Sequence, residues 1–167
     1  MEFKKNDRVT VTIEDMGSDG EGIGKVDGFT LFIKDAVIGD QVEAKIIKSK
    51  KHYAYARLEK VLQPSPFRVE PKCAYHRQCG GCQLQNLSYD EQLHLKQATA
   101  IRLLGRFGHV EEIIGMKDPY HYRNKVQAAF GVNRQGQIIS GVYQSASHRI
   151  VPVSDCMIED PVADQII

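Results

Sequence analysis

Several things are scarce in this sequence. It has no tryptophan, only 8% of its 167 residues are aromatic, and 22 Lys and Arg so nearly balance 21 Asp and Glu that the formal charge is +1. A net charge near zero argues neither for nor against a nucleic-acid partner, so the distribution of charge must decide. No run of about 18 apolar residues is available to cross a bilayer. The opening MEFKKNDRVT lacks the apolar stretch of a secretory signal, so a cytoplasmic protein with no membrane partner is expected. The length allows one domain or two and excludes a large multidomain enzyme within these residues. No internal repeat and no low-complexity tract is present. With 42% hydrophobic and 26% charged residues, the composition is that of an ordinary globular chain.

The charge is segregated. From Ala44 to Leu58 the run AKIIKSKKHYAYARL carries Lys45, Lys48, Lys50, Lys51 and Arg57 without an acid, with His52, Tyr53 and Tyr55 among them. From His121 to Ile150 there is again no Asp or Glu, while Arg123, Lys125, Arg134 and Arg149 are present; Asp155, Glu159, Asp160 and Asp164 restore the balance. Cations interleaved with aromatic rings suit phosphates and stacked bases. Lysines on an exposed strand edge that resist aggregation give the same pattern. The candidate RNA contacts are Lys48, Lys50, Lys51 and Tyr53 in the first basic segment, and Arg123, Lys125, His148 and Arg149 in the second. Phe29, Phe32 and Tyr53 are candidate stacking platforms, against the alternative that a Phe in an alternating barrel strand belongs to the core. Arg123 and Lys125 alternate on an expected strand, where they would clamp a phosphate or fill the gap left by an extruded base; a solvated strand face is the alternative. His148 and Arg149 lie in a turn-like SASHRI segment, where a plain surface pair is equally reasonable.

The first 61 residues read as short strands: Arg8 to Ile13, a Gly-rich stretch with an Asp27–Gly28 turn, then Thr30 to Ile33, Gln41 to Ile47 and His52 to Val61. Such a series suits a small closed barrel of the OB type. Gly20, Gly22 and Gly24 resemble a phosphate-cradling loop, but that loop should open a helix, and this one runs into a strand; structural glycines are expected. Pro64, Pro66 and Pro71 mark a linker over 62–72. Ser88 with Glu91 forms a capping box for a helix whose Leu93, Ala100, Leu103, Leu104 and Phe107 should face a core, with Gly105 and Gly108 at its end. Beyond Pro119 a β-meander with a turn at Arg134 to Gly136 is expected. Asp160 and Pro161 open a last helix that breaks off. The fold class is thus mainly β with an α+β second part: barrel, linker, then over 73–167 a cysteine loop, one main helix and an incomplete antiparallel-sheet domain.

Four cysteines form the remaining signal. Cys73, Cys79 and Cys82 share one loop, the last two as CGGC, and Cys156 lies far downstream. A four-iron cluster takes three thiolates from one tight loop and a fourth from elsewhere, and Gly80 and Gly81 would let the backbone wrap close to it. Zinc is the rival, with His76 as a substitute ligand, although structural zinc usually takes two Cys-x-x-Cys pairs or a mixed set. Disulfides suit a reducing cytosol poorly, and a redox pair at Cys79 and Cys82 leaves Cys73 and Cys156 without a role.

The run SPFRVEPKCAYHRQCGGCQLQNLSYDEQLHLKQ, preceded by DGEGIGKVDGFTLFIKDAVIGDQVEAKI and followed by YRNKVQ, resembles the N-terminal part of bacterial RNA 5-methyluridine methyltransferases over the whole chain. The resemblance implies a TRAM domain at the start, a 4Fe-4S site at Cys73, Cys79, Cys82 and Cys156, and RNA as partner, 23S ribosomal RNA before transfer RNA. It also implies an S-adenosylmethionine-binding domain, with a catalytic cysteine and a general base, outside these residues. Methylating C5 of uracil needs a thiolate to add at C6 and a base to remove the C5 proton. If all four cysteines ligate a cluster, none is left as nucleophile, so the chain alone is expected to be inactive and the cluster structural. The reading from another class is an autonomous RNA-binding or iron–sulfur redox protein.

Overall fold

The computed structural model describes residues 3–145 and 147–166. Two compact units emerge from it: Met1–Glu70 with Asn86–Ile113, and Pro71–Gln85 with Ile114–Ile167. Among the described residues no helix is long and apolar enough to cross a membrane.

The first unit is built on a five-stranded closed barrel. Its strands are β1 (Arg8–Met16), β2 (Gly22–Val26), β3 (Phe29–Lys34), β4 (Gln41–Ser49) and β5 (Tyr53–Gln63), ordered β1-β2-β3-β5-β4 and closed by β1 on β4. All neighbours are antiparallel except β3 and β5. Period-two alternation turns Val11, Ile13, Leu31, Ile33, Val42, Ala44, Ile46, Ala54 and Ala56 inward to one core, the burial that makes a strand of each segment. The β2–β3 hairpin turns on Asp27 and Gly28, both left-handed at φ 50° and 80°, as a two-residue hairpin demands. The expected structural role of the glycines holds: a Cβ on Gly24 would stand 2.5 Å from Val11 Cγ2 and 2.7 Å from the Thr12 carbonyl oxygen.

The proline-bearing stretch does not leave the barrel at once. Asp40, fully buried, takes hydrogen bonds from the Val37 N–H (2.9 Å), the Ser65 N–H (2.9 Å) and the Arg68 guanidinium (2.6 to 3.1 Å). Burial raises the Asp40 carboxyl, but the Arg68 hydrogen bonds, the two N–H donors and the Arg68 charge outweigh it, and its pKa falls below the ordinary value. Arg68 also donates to the Asp35 carbonyl, so the chain is latched to the barrel beyond its last strand.

Helix α1 (Tyr89–Leu104) begins where expected, yet the capping box does not form: Ser88 makes no side-chain cap bond, and Glu91 is buried and pairs with His94 at 3.2 Å. The apolar stripe expected in the core is half-buried or exposed; Ile101, Leu103, Leu104 and Phe107 are 50% to 73% exposed. Helical periodicity fixes a common face, not its cover.

The second unit contains a three-stranded antiparallel meander, β6 (Ala129–Val132), β7 (Ile138–Tyr143) and β8 (Ile150–Pro152), and a short helix α2 (Pro161–Ile166). Gly136, at φ 78°, turns β6 into β7, as expected. Asp160 caps α2, its Oδ1 accepting from the N–H groups of Val162 (2.9 Å) and Ala163 (3.3 Å). The strand expected over 122–126 is absent. His121 is left-handed at φ 50°, and Arg123 spends its backbone groups on Ile158 and Asp160, leaving one isolated bridge to Glu159.

Candidate nucleic-acid interface and metal centre

On the barrel, the alternation that sends Ala54 and Ala56 inward sends Tyr53, Tyr55 and Arg57 outward. Parallel pairing aligns Phe32 of β3 with Tyr55 of β5, and the next strands align Ile23 of β2 with Phe32 and Lys48 of β4 with Tyr55. One cross-strand row therefore reads Ile23, Phe32, Tyr55, Lys48. Residues so aligned have side chains within contact reach, and the rings of Phe32, Tyr53 and Tyr55 touch pairwise at centroid separations of 5.5 to 5.7 Å.

Cations border this cluster. Lys25 and Tyr53 both pair with Thr30, while Lys34 and Lys45 pair with Arg57. Exposed Lys50 and Lys51 begin the β4–β5 turn, closed by the Lys50 N–H on the Tyr53 carbonyl at 2.8 Å. Arg57 and Arg8 turn to Glu59 instead, at 3.4 and 2.9 Å; burial raises that carboxyl, but the two arginines and Lys45 bring it below the ordinary range. The Tyr55 phenol is raised above the usual tyrosine value, first by Tyr53 and then, more weakly, by Glu21 and Asp19.

Of the residues expected to contact RNA, the structure thus gathers Lys48, Lys50, Lys51 and Tyr53 on the barrel. Phe32 joins them, whereas Phe29 does not: it packs edge-on to Phe3 at 5.3 Å, against the core. Tyr55, noted in the sequence only as part of a basic run, is at the centre; the small-in, large-out pattern YAYAR is the signal that marks it. In the second unit Arg123 and Lys125 part company, Arg123 half-buried against the cysteines and Lys125 exposed, so they do not form the expected one-faced clamp. His148 and Arg149 are exposed in the β7–β8 turn, with His148 edge-on to Tyr143 at 5.9 Å; Ala146 of the same turn lies outside the described residues.

Cys73, Cys79, Cys82 and Cys156 all line one small cavity of about 30 Å³, together with His76, Arg123 and Glu159. The CGGC loop is fixed to the end of β7 by the Gly80 N–H on the Tyr143 carbonyl and by a bridge between Cys79 and Gln144. A Cβ on Gly80 would sit 3.1 Å from the Tyr143 carbonyl oxygen, and one on Gly81 would sit 3.3 Å from Cys79 Sγ. The Gly81 N–H donates to that sulfur at 3.2 Å. Burial pushes the Cys79 thiol up, with Cys82 and Cys73 adding to it and Gly81 and Arg123 opposing. Burial likewise raises Cys156, against backbone donors from Ile158 and Glu159.

A mononuclear zinc site holds its sulfurs about 2.3 Å from the metal, hence within roughly 4 Å of each other. Among the described residues no group of three or more His, Cys, Asp or Glu side chains is drawn together in a way that could hold one metal ion. The cysteines share a cavity but do not converge on a point. Glu159, buried beside them, carried no signal in the sequence beyond its place three residues after Cys156.

Residues 2–58 match the family model of the TRAM domain. The chain is 46% identical over 168 residues to a protein of Halalkalibacterium halodurans named as an RNA methyltransferase, covering 98% of this chain and 36% of that protein. It is 46% identical over 171 residues to one of Clostridium acetobutylicum with the same description, covering 98% and 37%. The chain therefore spans little more than a third of the length of these relatives. Among solved structures, a tRNA (uracil-54, C5)-methyltransferase of Pyrococcus abyssi superposes with a TM-score of 0.63 at 24% identity, over 93% of this chain and 34% of that one, a likeness of fold.

Proposed function

We propose that this chain is the RNA-gripping part of an S-adenosylmethionine-dependent RNA (uracil-5-)-methyltransferase. Its TRAM barrel holds the RNA, and methyl transfer belongs to the remainder of the whole protein. The observation that carries this reading is the outer face of the barrel, where Lys25, Lys34 and Lys48 surround three touching rings. Such a surface offers counterion release at phosphates and flat faces to bases. Similarity over 98% of the chain to proteins named RNA methyltransferases supports the same assignment, with 23S ribosomal RNA the substrate we expect.

Cys73, Cys79, Cys82 and Cys156 are the residues that would hold a 4Fe-4S cluster. The four thiols line one cavity, and four Cys thiolates are the usual donor set of such a centre. When bound, the cluster would supply a fixed tie between the 73–82 loop and the 156 segment; moving a methyl group and a proton needs no electron from it. The chain supplies the N–H donors of Gly81, Ile158 and Glu159 that offset charge on two of the sulfurs. With all four thiols engaged, none remains to attack C6 of uracil, which assigns that step elsewhere in the whole protein. Among the described residues no parallel strand–helix–strand unit exists to hold the methyl donor.

The test is binding of the purified chain to ribosomal and transfer RNA fragments across a salt series, beside iron and sulfide analysis of anaerobically prepared protein. A steep log–log salt dependence, a broad band near 400 nm and about four irons per chain are expected. Failure to bind either RNA sinks the assignment of the barrel, and stoichiometric zinc without colour sinks that of the cysteines.

A further inference from the structure

We infer that Phe32, Tyr53 and Tyr55 form a stacking platform for the unpaired bases of single-stranded RNA, with Lys48, Lys50 and Lys51 beside it as the phosphate track. The inference rests on the RNA-binding reading above and narrows it to one class of ligand.

The argument begins with an inversion. Burial alone favours large rings inside and small side chains outside. Strand β5 does the reverse, with Ala54 and Ala56 fully inside or nearly so and Tyr55 44% exposed outside. The barrel interior is already filled by Leu31, Ile33 and their neighbours, so the rings contribute nothing to it. They are nevertheless ordered, each against the other two, by the fixed register of β3 and β5. Ordered, outward aromatic faces are what a base stacks on.

Charge tells where the backbone of the strand runs. Asp19 and Glu21 lie near Tyr55 on the β1–β2 side, close enough to add to the rise that Tyr53 chiefly causes in its phenol, and the same carboxylates repel phosphates. Lys48, aligned with Tyr55, leads into the exposed Lys50 and Lys51 of the next turn, a path that no acid interrupts. Bases inside a duplex are already stacked on one another and present only phosphates and edges to a flat surface, so a duplex can use the lysines but not the rings.

This separates two energies by experiment. The probe is a fluorescein-labelled mixed-sequence RNA of about ten nucleotides, alone and annealed to its complement, read by anisotropy against the whole chain from about 50 to 200 mM salt. The single strand should bind more tightly than the duplex. Phe32→Leu and Tyr55→Leu should each weaken single-strand binding roughly tenfold at every salt concentration, with the salt slope and the duplex affinity unchanged. Tyr55→Phe, which keeps the ring, should bind as the parent does. Lys48→Ala and Lys51→Ala should lower the slope for both probes. Because the chain has no tryptophan, tyrosine emission offers a second readout on the unaltered protein, quenched by the single strand and not by the duplex. Equal affinity for the two probes, or leucine variants within about twofold of the parent, would overturn the platform while leaving RNA binding intact. If neither probe binds at any salt concentration, the RNA-binding reading itself is lost.

Discussion

In the barrel unit, Val11, Ile13, Leu31, Ile33, Val42 and Ile46 are buried against one another, and five strands close on themselves without a free edge. In the cysteine unit, the buried apolar side chains among the described residues are Val151 and Ile158, while Phe130, Val132 and Ile138 of its small sheet are 66% to 81% exposed. The first unit follows the ordinary route of burying apolar surface. The second has too little of it to rely on that route, and polypeptides in this position use a covalent or metal staple. The four cysteines lie in the unit that lacks a core. The cluster proposed for them would therefore do most where hydrophobic contacts do least.

Changes at five positions break or sharpen this contrast. The largest effect is expected at the proposed cluster: if the four cysteines hold it, Cys156→Ser or stripping of iron should speed amide exchange in β6, β7 and β8 by about a hundredfold or more, with β1 to β5 unchanged. Persistent protection of the small sheet would mean that Val151 and Ile158 suffice. Next comes the latch. Asp40→Ala leaves the Arg68 guanidinium and two N–H donors without their acceptor, and the barrel should lose about 3 kcal/mol or more in urea titrations. The pH dependence has a definite sign: because the folded carboxyl lies below its ordinary value of 3.8, its contribution is complete above that value. It fades as pH falls through the lower folded value. Acid titration of Asp40→Asn should accordingly show a shallower loss of stability below about pH 4 than the parent.

A smaller cost, about 1 to 3 kcal/mol, is expected for Gly24→Ala, whose methyl meets Val11 and the Thr12 carbonyl; thermal melts should show it in the barrel alone. Smallest in stability is Lys48→Ala, within about 0.5 kcal/mol of the parent, although its salt slope for RNA should fall by about one unit. Arg123→Ala sharpens the contrast from the other side. Its half-buried place against the cysteines predicts disturbed metal content with little change in that slope.

The barrel was legible because period-two alternation and the Asp27–Gly28 turn are local signals that the closed sheet merely assembles. The RNA candidates on it were half legible. Lysines could be read as a cluster and alternation marks Phe32 and Tyr55 as outward, but that these two rings meet depends on β3 lying parallel to β5, a long-range fact with no local mark. The 122–126 segment misled because alternating Arg123 and Lys125 mimic a strand, whereas the backbone partner of Arg123 lies at 158–160. The Ser88–Glu91 pair failed as a capping box because burial and His94 claim Glu91. Cysteine spacing pointed to one shared site, and the four side chains do line one cavity. Their separation around it could not be read from spacing.

The parallel alignment of β3 and β5 has a consequence for how the protein is made. Phe32 is synthesised well before Tyr55, and β4 must be laid down between them before the two strands can meet. A nascent chain halted before β5 has Leu31 and Ile33 uncovered on one side and an isolated Phe32 on the other. The grip on RNA proposed for this face can form only once the last barrel strand has been made and has paired with β3.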